Sequence, residues 1–158
     1  VRRRREPGRR RRGVLLPWCT RMPPRAWLAI QVPGKFGSPS HTLIRALAAT
    51  PRWADQLGDL LRHRDSVADP AEYASLLLSE GVDVDVWETT YVHRLDGDDP
   101  VLEWVRGTGL RPVLAALSGD DGAEFEASYA EALRAAYPAD QHGTLFPFLR
   151  IFAVARKP

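Results

Sequence analysis

From Ala26 onward the apolar and polar positions fall into blocks of two alternating periods. "AWLAIQVPG" (26–34) is a short apolar run closed by Pro-Gly, which predicts a buried strand. After a Gly-rich loop, Ser40 is placed to cap a helix that runs through Leu43, Ile44 and Leu47. "RWADQLGDLL" (52–61) gives a second, weaker helical patch. "DPAEYASLLLSEG" carries a full set of start and stop signals. Asp69 sits at the N-cap, Pro70 at the first helical position, Glu72 three residues after the cap, and Gly81 past the end. Tyr73, Leu76 and Leu77 form its buried stripe.

"VDVDVWETTYVHRL" (82–95) sets Val82, Val84 and Val86 against Asp83 and Asp85, a period of two that predicts a strand. "DDPVLEWVRG" repeats the Asp-Pro helix start with Gly107 as its stop, and "RPVLAAL" (111–117) is a short helix. "GAEFEASYAEALRAAYP" spaces Phe125, Tyr129, Leu133 and Tyr137 four apart, one face of a longer helix. "PFLRIFAVARK" is apolar on both faces and belongs inside a sheet. Strands alternating with helices predict an α/β fold with a substantially parallel sheet. Three strands are few for an open sheet, so the body reads as half of one.

Residues 1–25 show neither period. They hold ten arginines against one acid, whereas residues 26–158 hold 12 Lys+Arg against 19 Asp+Glu. The net charge of +2 therefore averages a basic segment and an acidic body, and an acidic body repels phosphate. Three readings fit the opening: the product of a shifted reading frame or wrong start in a GC-rich gene, a disordered tail, or a nucleic-acid-binding arm. The chain is accordingly divided into residues 1–25, an Arg/Pro-rich disordered segment, and 26–158, the folded body.

A single cysteine, Cys19, excludes a disulfide framework within the chain and fits a reducing compartment. No apolar run approaches membrane-spanning length, and "GVLLPWC" is too short and Pro-interrupted for a signal-peptide core. A cytoplasmic protein is expected. There is no G-x-G-x-x-G, Walker loop, H-E-x-x-H or G-x-S-x-G. His41, His63, His93 and His142 lack ligand spacing, so no metal is expected.

Four stretches go further: "WLAIQVPGKFGSPSHTLIRALA", "VDVWETTYVHRL", "VLEWVRGTGLRPVLAAL" and "LFPFLRIFAVARK". In this order and spacing, residues 26–158 resemble the C-terminal half of the trans-aconitate 2-methyltransferase family, enzymes that use S-adenosylmethionine. The pair "TTYVH" and "WVRGTGLRP" is its most specific part. The resemblance implies a doubly wound, Rossmann-like sheet of seven strands with the last antiparallel. Residues 27–33, 83–92 and 149–156 would be its fifth to seventh strands, and the helices between them a substrate lid. It also implies that the cofactor-binding first half is missing, that residues 1–25 match nothing in the family, and that their arginines are a scar. A chain so truncated or mis-started is expected to bind cofactor poorly.

The residues then suggest a substrate side. A tricarboxylate needs cationic and hydrogen-bonding partners. Arg111, after the Gly107–Gly109 turn, is suited to a bidentate carboxylate pair, or else caps a helix. Tyr91 and His93 lie toward the end of a strand, His41 and Lys35 in the loop after the preceding one, where α/β ligands bind. Trp104 is a pocket wall or a core aromatic, and Lys35 a ligand or a solvated charge. Arg150 either pairs with a buried acid or faces the substrate. No catalytic base is expected, because a carboxylate is already a nucleophile. The competing reading is a non-enzymatic nucleic-acid binder that uses the arginine segment.

Overall fold

The computed structural model describes residues 15, 17–34, 37–58, 60–61 and 67–158. The elements are β1 (Trp27–Pro33), α1 (Pro39–Ala48), α2 (Ala54–Leu57), α3 (Pro70–Leu78), β2 (Asp83–Leu95), α4 (Pro100–Val105), a π turn (Arg106–Leu110), α5 (Arg111–Ala116), α6 (Asp120–Ala136), β3 (Ala139–Asp140) and β4 (Gly143–Arg156). The three long strands stand where the period predicts them. Their order corrects the expectation of a substantially parallel sheet. β4 lies between β1 and β2, it runs antiparallel to β1 from Trp27↔Arg156 to Pro33↔Arg150, and the short β3 also pairs antiparallel with it. β1 is therefore an outer strand. It alternates exposed and half-buried positions, Trp27 being 67% exposed, instead of being buried on both faces. The doubly apolar β4 is central, as its composition predicts.

The chain divides into two compact units, 1–34 with 65–91 and 149–158, and 35–64 with 92–148. In the first, α3 is held by the anticipated capping box. Glu72 N–H donates to Asp69 Oδ1 at 2.8 Å, and Asp69 N–H donates to Glu72 Oε2 at 3.0 Å. Its buried Leu77 packs with Val82, Val84, Val86, Ala153 and Ala155.

Cys19 joins that cluster with no exposed surface, in a helical stretch at 17–21, and Leu15 packs with Tyr73 and Ile151. Arg25 N–H donates to Lys157 O at 3.0 Å. Packing thus begins upstream of residue 26, which corrects the expected boundary, while residues 1–14 lie outside the described ones. Apolar Leu15 and Cys19 find a core to join, which the surrounding arginines conceal in the sequence. Burial, with Glu80 nearby, pushes the Cys19 thiol above its ordinary pKa. Labelling by a thiol reagent is therefore expected to be slow in buffer and immediate in urea. Immediate labelling of the native chain would mean that this stretch is not packed.

The second unit has its core among Ile44, Trp53, Leu57, Val105, Leu110, Val113, Phe125, Tyr129, Leu133 and Phe146. Three local expectations are corrected. The N-cap of α1 is Ser38, with Pro39 next, so Ser40 lies inside the helix. Asp99 makes no side-chain cap; its carboxylate accepts from Arg134 at 2.5 Å instead. Gly107 does not stop α4, because the chain continues through a π turn into α5. Pro112 falls at the start of α5, where a missing N–H is tolerated. Gly143 is required where β4 begins. Its φ is 103°, and a Cβ there would meet Leu95 O at 2.9 Å.

Candidate functional site

The expected site residues divide between the two units. Lys35 lies outside the described residues. Tyr91, 44% exposed, and Arg150 belong to the first unit. Arg150 stands opposite Pro33 on β1, and the neighbouring Gln31 amide, with its oxygen turned inward, accepts from Arg150 Nε at 3.0 Å.

His41, His93, Trp104 and Arg111 belong to the second unit. β2 carries His93 and α4 carries Trp104, and their rings meet with centroids 4.9 Å apart. Phe148 closes on both, at 5.9 Å from each. Trp104 also contacts Phe146 at 5.6 Å and keeps 38% of its surface exposed. His41, in the first turn of α1, is buried, and a Cβ on Gly109 would sit 3.7 Å from its Nε2. The structure therefore brings His41 to the π turn that leads directly into Arg111.

Charge pairing separates Arg111 from its neighbours. Arg106 bonds Glu103 at 2.9 Å and Glu126 at 2.6 Å, Arg52 bonds Asp121 at 2.5 Å and Glu124 at 3.0 Å, and Arg134 bonds Asp99. The Arg52 hydrogen bond, with a second from Gln56, holds the Asp121 carboxyl below its usual range. Among the described residues Arg111 makes no ion pair, and it is exposed. An exposed, uncommitted guanidinium is what a carboxylate ligand needs.

A polar cluster in the core was not foreseen. Tyr129 Oη donates to Ser40 O at 2.6 Å, and Ser40 N–H donates to Tyr137 Oη at 3.0 Å. Ser40 Oγ lies 3.2 Å from His41 Nδ1 and 3.0 Å from Ser38 Oγ. Tyrosines spaced along an amphipathic helix read as core rings, and nothing local in the sequence signals where their hydroxyls go.

A cleft of about 150 Å³, lined in part by Asp99, Leu102, Leu133, Arg134, Tyr137 and Thr144, contains none of the expected site residues. Two of that cleft's polar residues, Arg134 and Asp99, are already paired with each other. Among the described residues no group of three or more His, Cys, Asp or Glu could hold a metal ion, and no helix is long and apolar enough to cross a membrane.

No family profile matches the chain. It is 57% identical over 140 residues to trans-aconitate 2-methyltransferase of Streptomyces avermitilis, covering 89% of this chain and 52% of that protein. To the protein of the same name from Streptomyces coelicolor it is 58% identical over 143 residues, covering 89% and 47%. For that from Rhodococcus jostii the figures are 51% over 147 residues, 92% and 58%. The resemblance read from the four stretches is borne out, and the chain spans about half the length of the curated relatives it matches. These alignments are longer than residues 26–158, so the similarity reaches upstream of Ala26, which corrects the view that residues 1–25 match nothing. The comparisons lend no support to the nucleic-acid reading, whose arginines at 2–12 lie outside the described residues.

Proposed function

We propose that this chain carries the substrate side of a trans-aconitate 2-methyltransferase, in which a methyl group passes from S-adenosylmethionine to a carboxylate of trans-aconitate and yields a monomethyl ester. The observation that carries the reading is Arg111: exposed, free of ion pairs among the described residues, and placed just after the π turn in a segment shared with relatives of that name. β4, central and antiparallel to β1, supports counting β1, β2 and β4 as the fifth, sixth and seventh strands of a doubly wound sheet.

In this reading the Arg111 guanidinium grips one carboxylate in a bidentate pair and fixes the substrate's orientation. The Trp104 face, backed by His93 and Phe148, keeps water from the attacking carboxylate oxygen, which is already anionic and needs no base. His41 offers Nε2 beside Gly109. Tyr91, Arg150 and Lys35 stay in the proposal as further substrate contacts. S-adenosylmethionine, when bound, supplies the electrophilic methyl. The 150 Å³ cleft is smaller than the roughly 300–1,000 Å³ of ligand pockets, so it does not fit that cofactor.

Calorimetric titration of the chain with trans-aconitate, and separately with S-adenosylhomocysteine, tests the reading. Trans-aconitate is expected to bind and S-adenosylhomocysteine to give no heat. Absence of trans-aconitate binding up to millimolar concentration would overturn the substrate assignment. Micromolar binding of S-adenosylhomocysteine would overturn the statement on the cofactor.

A further inference from the structure

We propose that Tyr129 and Tyr137 are positioning residues for His41: their hydroxyls clamp both backbone groups of Ser40, so that Ser40 Oγ holds His41 Nδ1 and leaves Nε2 turned to the π turn. In its choice of ligand the proposal rests on the function proposed above; the clamp itself does not.

The argument begins at the start of α1. A helix leaves its first N–H groups without intrahelical partners, and a Ser N-cap normally satisfies one through its hydroxyl. Here Ser38 makes no such bond, because its Oγ faces Ser40 Oγ at 3.0 Å. The Ser40 N–H, one of those orphan donors, goes to Tyr137 Oη at 3.0 Å, beyond the end of α6. The Ser40 carbonyl also receives Tyr129 Oη at 2.6 Å, a short and well-buried bond. One residue is thus held at its donor and its acceptor by two side chains eight positions apart, nearly 100 residues along the chain.

Ser40 is fully buried, so the clamp works where water cannot substitute for a lost partner. Burial pushes the Tyr129 phenol well above its ordinary pKa, so it remains a donor at any physiological pH. The two hydroxyls touch neither the imidazole nor the π turn in these bonds. They act on His41 through the Ser40 backbone, which fixes where Ser40 Oγ stands. With Nδ1 held at 3.2 Å, the opposite nitrogen is the one beside Gly109, two residues before Arg111. Gly109 itself places no Cβ against this side of the ring; one added there would come within 3.7 Å of Nε2.

The test uses the ¹⁵N-labelled full chain, with the imidazole signals of His41 identified by their loss in His41→Gln. In the parent, one neutral tautomer should dominate. In Tyr129→Phe and Tyr137→Phe the two nitrogens should move toward tautomer averaging, whereas Tyr73→Phe, at a buried tyrosine of the other unit, should leave them in place. Ser40→Ala keeps the backbone clamp but removes the hydroxyl, and should give the same averaging if either tyrosine variant fails to fold. Unchanged His41 signals in the folded tyrosine variants, or in Ser40→Ala, would overturn the proposal.

Adding trans-aconitate then separates the two readings. It is expected to shift His41 in the parent, with affinity three- to tenfold weaker in Tyr129→Phe. If the variants move His41 but trans-aconitate does not, the clamp stands and the substrate assignment falls.

Discussion

Phe125→Ala is expected to reduce the unfolding free energy by about 3–5 kcal/mol, a large part of what a domain of this size has in total. Phe125 has no exposed surface and lies at the centre of the second unit's core. Its ring meets Trp53 edge-on with centroids 5.5 Å apart, and Tyr129 at 6.5 Å. Truncation removes the transfer free energy of the ring and leaves a hole between α2 and α6 that cannot close without moving Trp53. Phe125→Leu keeps most of the volume and should cost far less, under about 1.5 kcal/mol. Urea unfolding followed by Trp fluorescence measures both. A loss below about 1 kcal/mol for the alanine variant would mean that this core is not formed in solution.

Arg111→Met is expected to weaken trans-aconitate binding roughly tenfold to a hundredfold while the melting temperature stays close to the parent's. Losing a charge-assisted bond costs about 1.5–3 kcal/mol, and each 1.4 kcal/mol is a factor of ten. Methionine keeps the unbranched, helix-compatible stem, and the guanidinium makes no ion pair among the described residues, so little stability goes with it. Unchanged affinity with a lower melting temperature would make Arg111 a structural part of the π turn and α5. Tyr91→Phe should show a smaller effect, since one neutral hydrogen bond is worth less than a charged pair.

The sequence by itself determined what is local. Period two placed β2, Asp69 and Glu72 placed the start of α3, and the four-residue spacing of Phe125, Tyr129 and Leu133 placed the buried face of α6. The central position of β4 was legible too, because a strand apolar on both faces has to be covered on both. The four stretches named the right relatives, since motif order survives without any knowledge of packing.

Only the tertiary structure decided the rest. Periodicity records that a face is buried, not what buries it, so the antiparallel pairing of β1 with β4 could not be read from either strand alone. Leu15 and Cys19 looked like debris among arginines until a core was there to receive them. Gly107 read as a stop, yet the chain passes through it in a π turn and continues into α5. Arg111 was visible as a cation, but that it makes no ion pair among the described residues depends on where the acids of α4 and α6 finally lie. The hydroxyls of Tyr129 and Tyr137 reach Ser40 across 89 and 97 residues. A hydrogen bond over that separation is set by how helices pack, and no spacing along the chain encodes it.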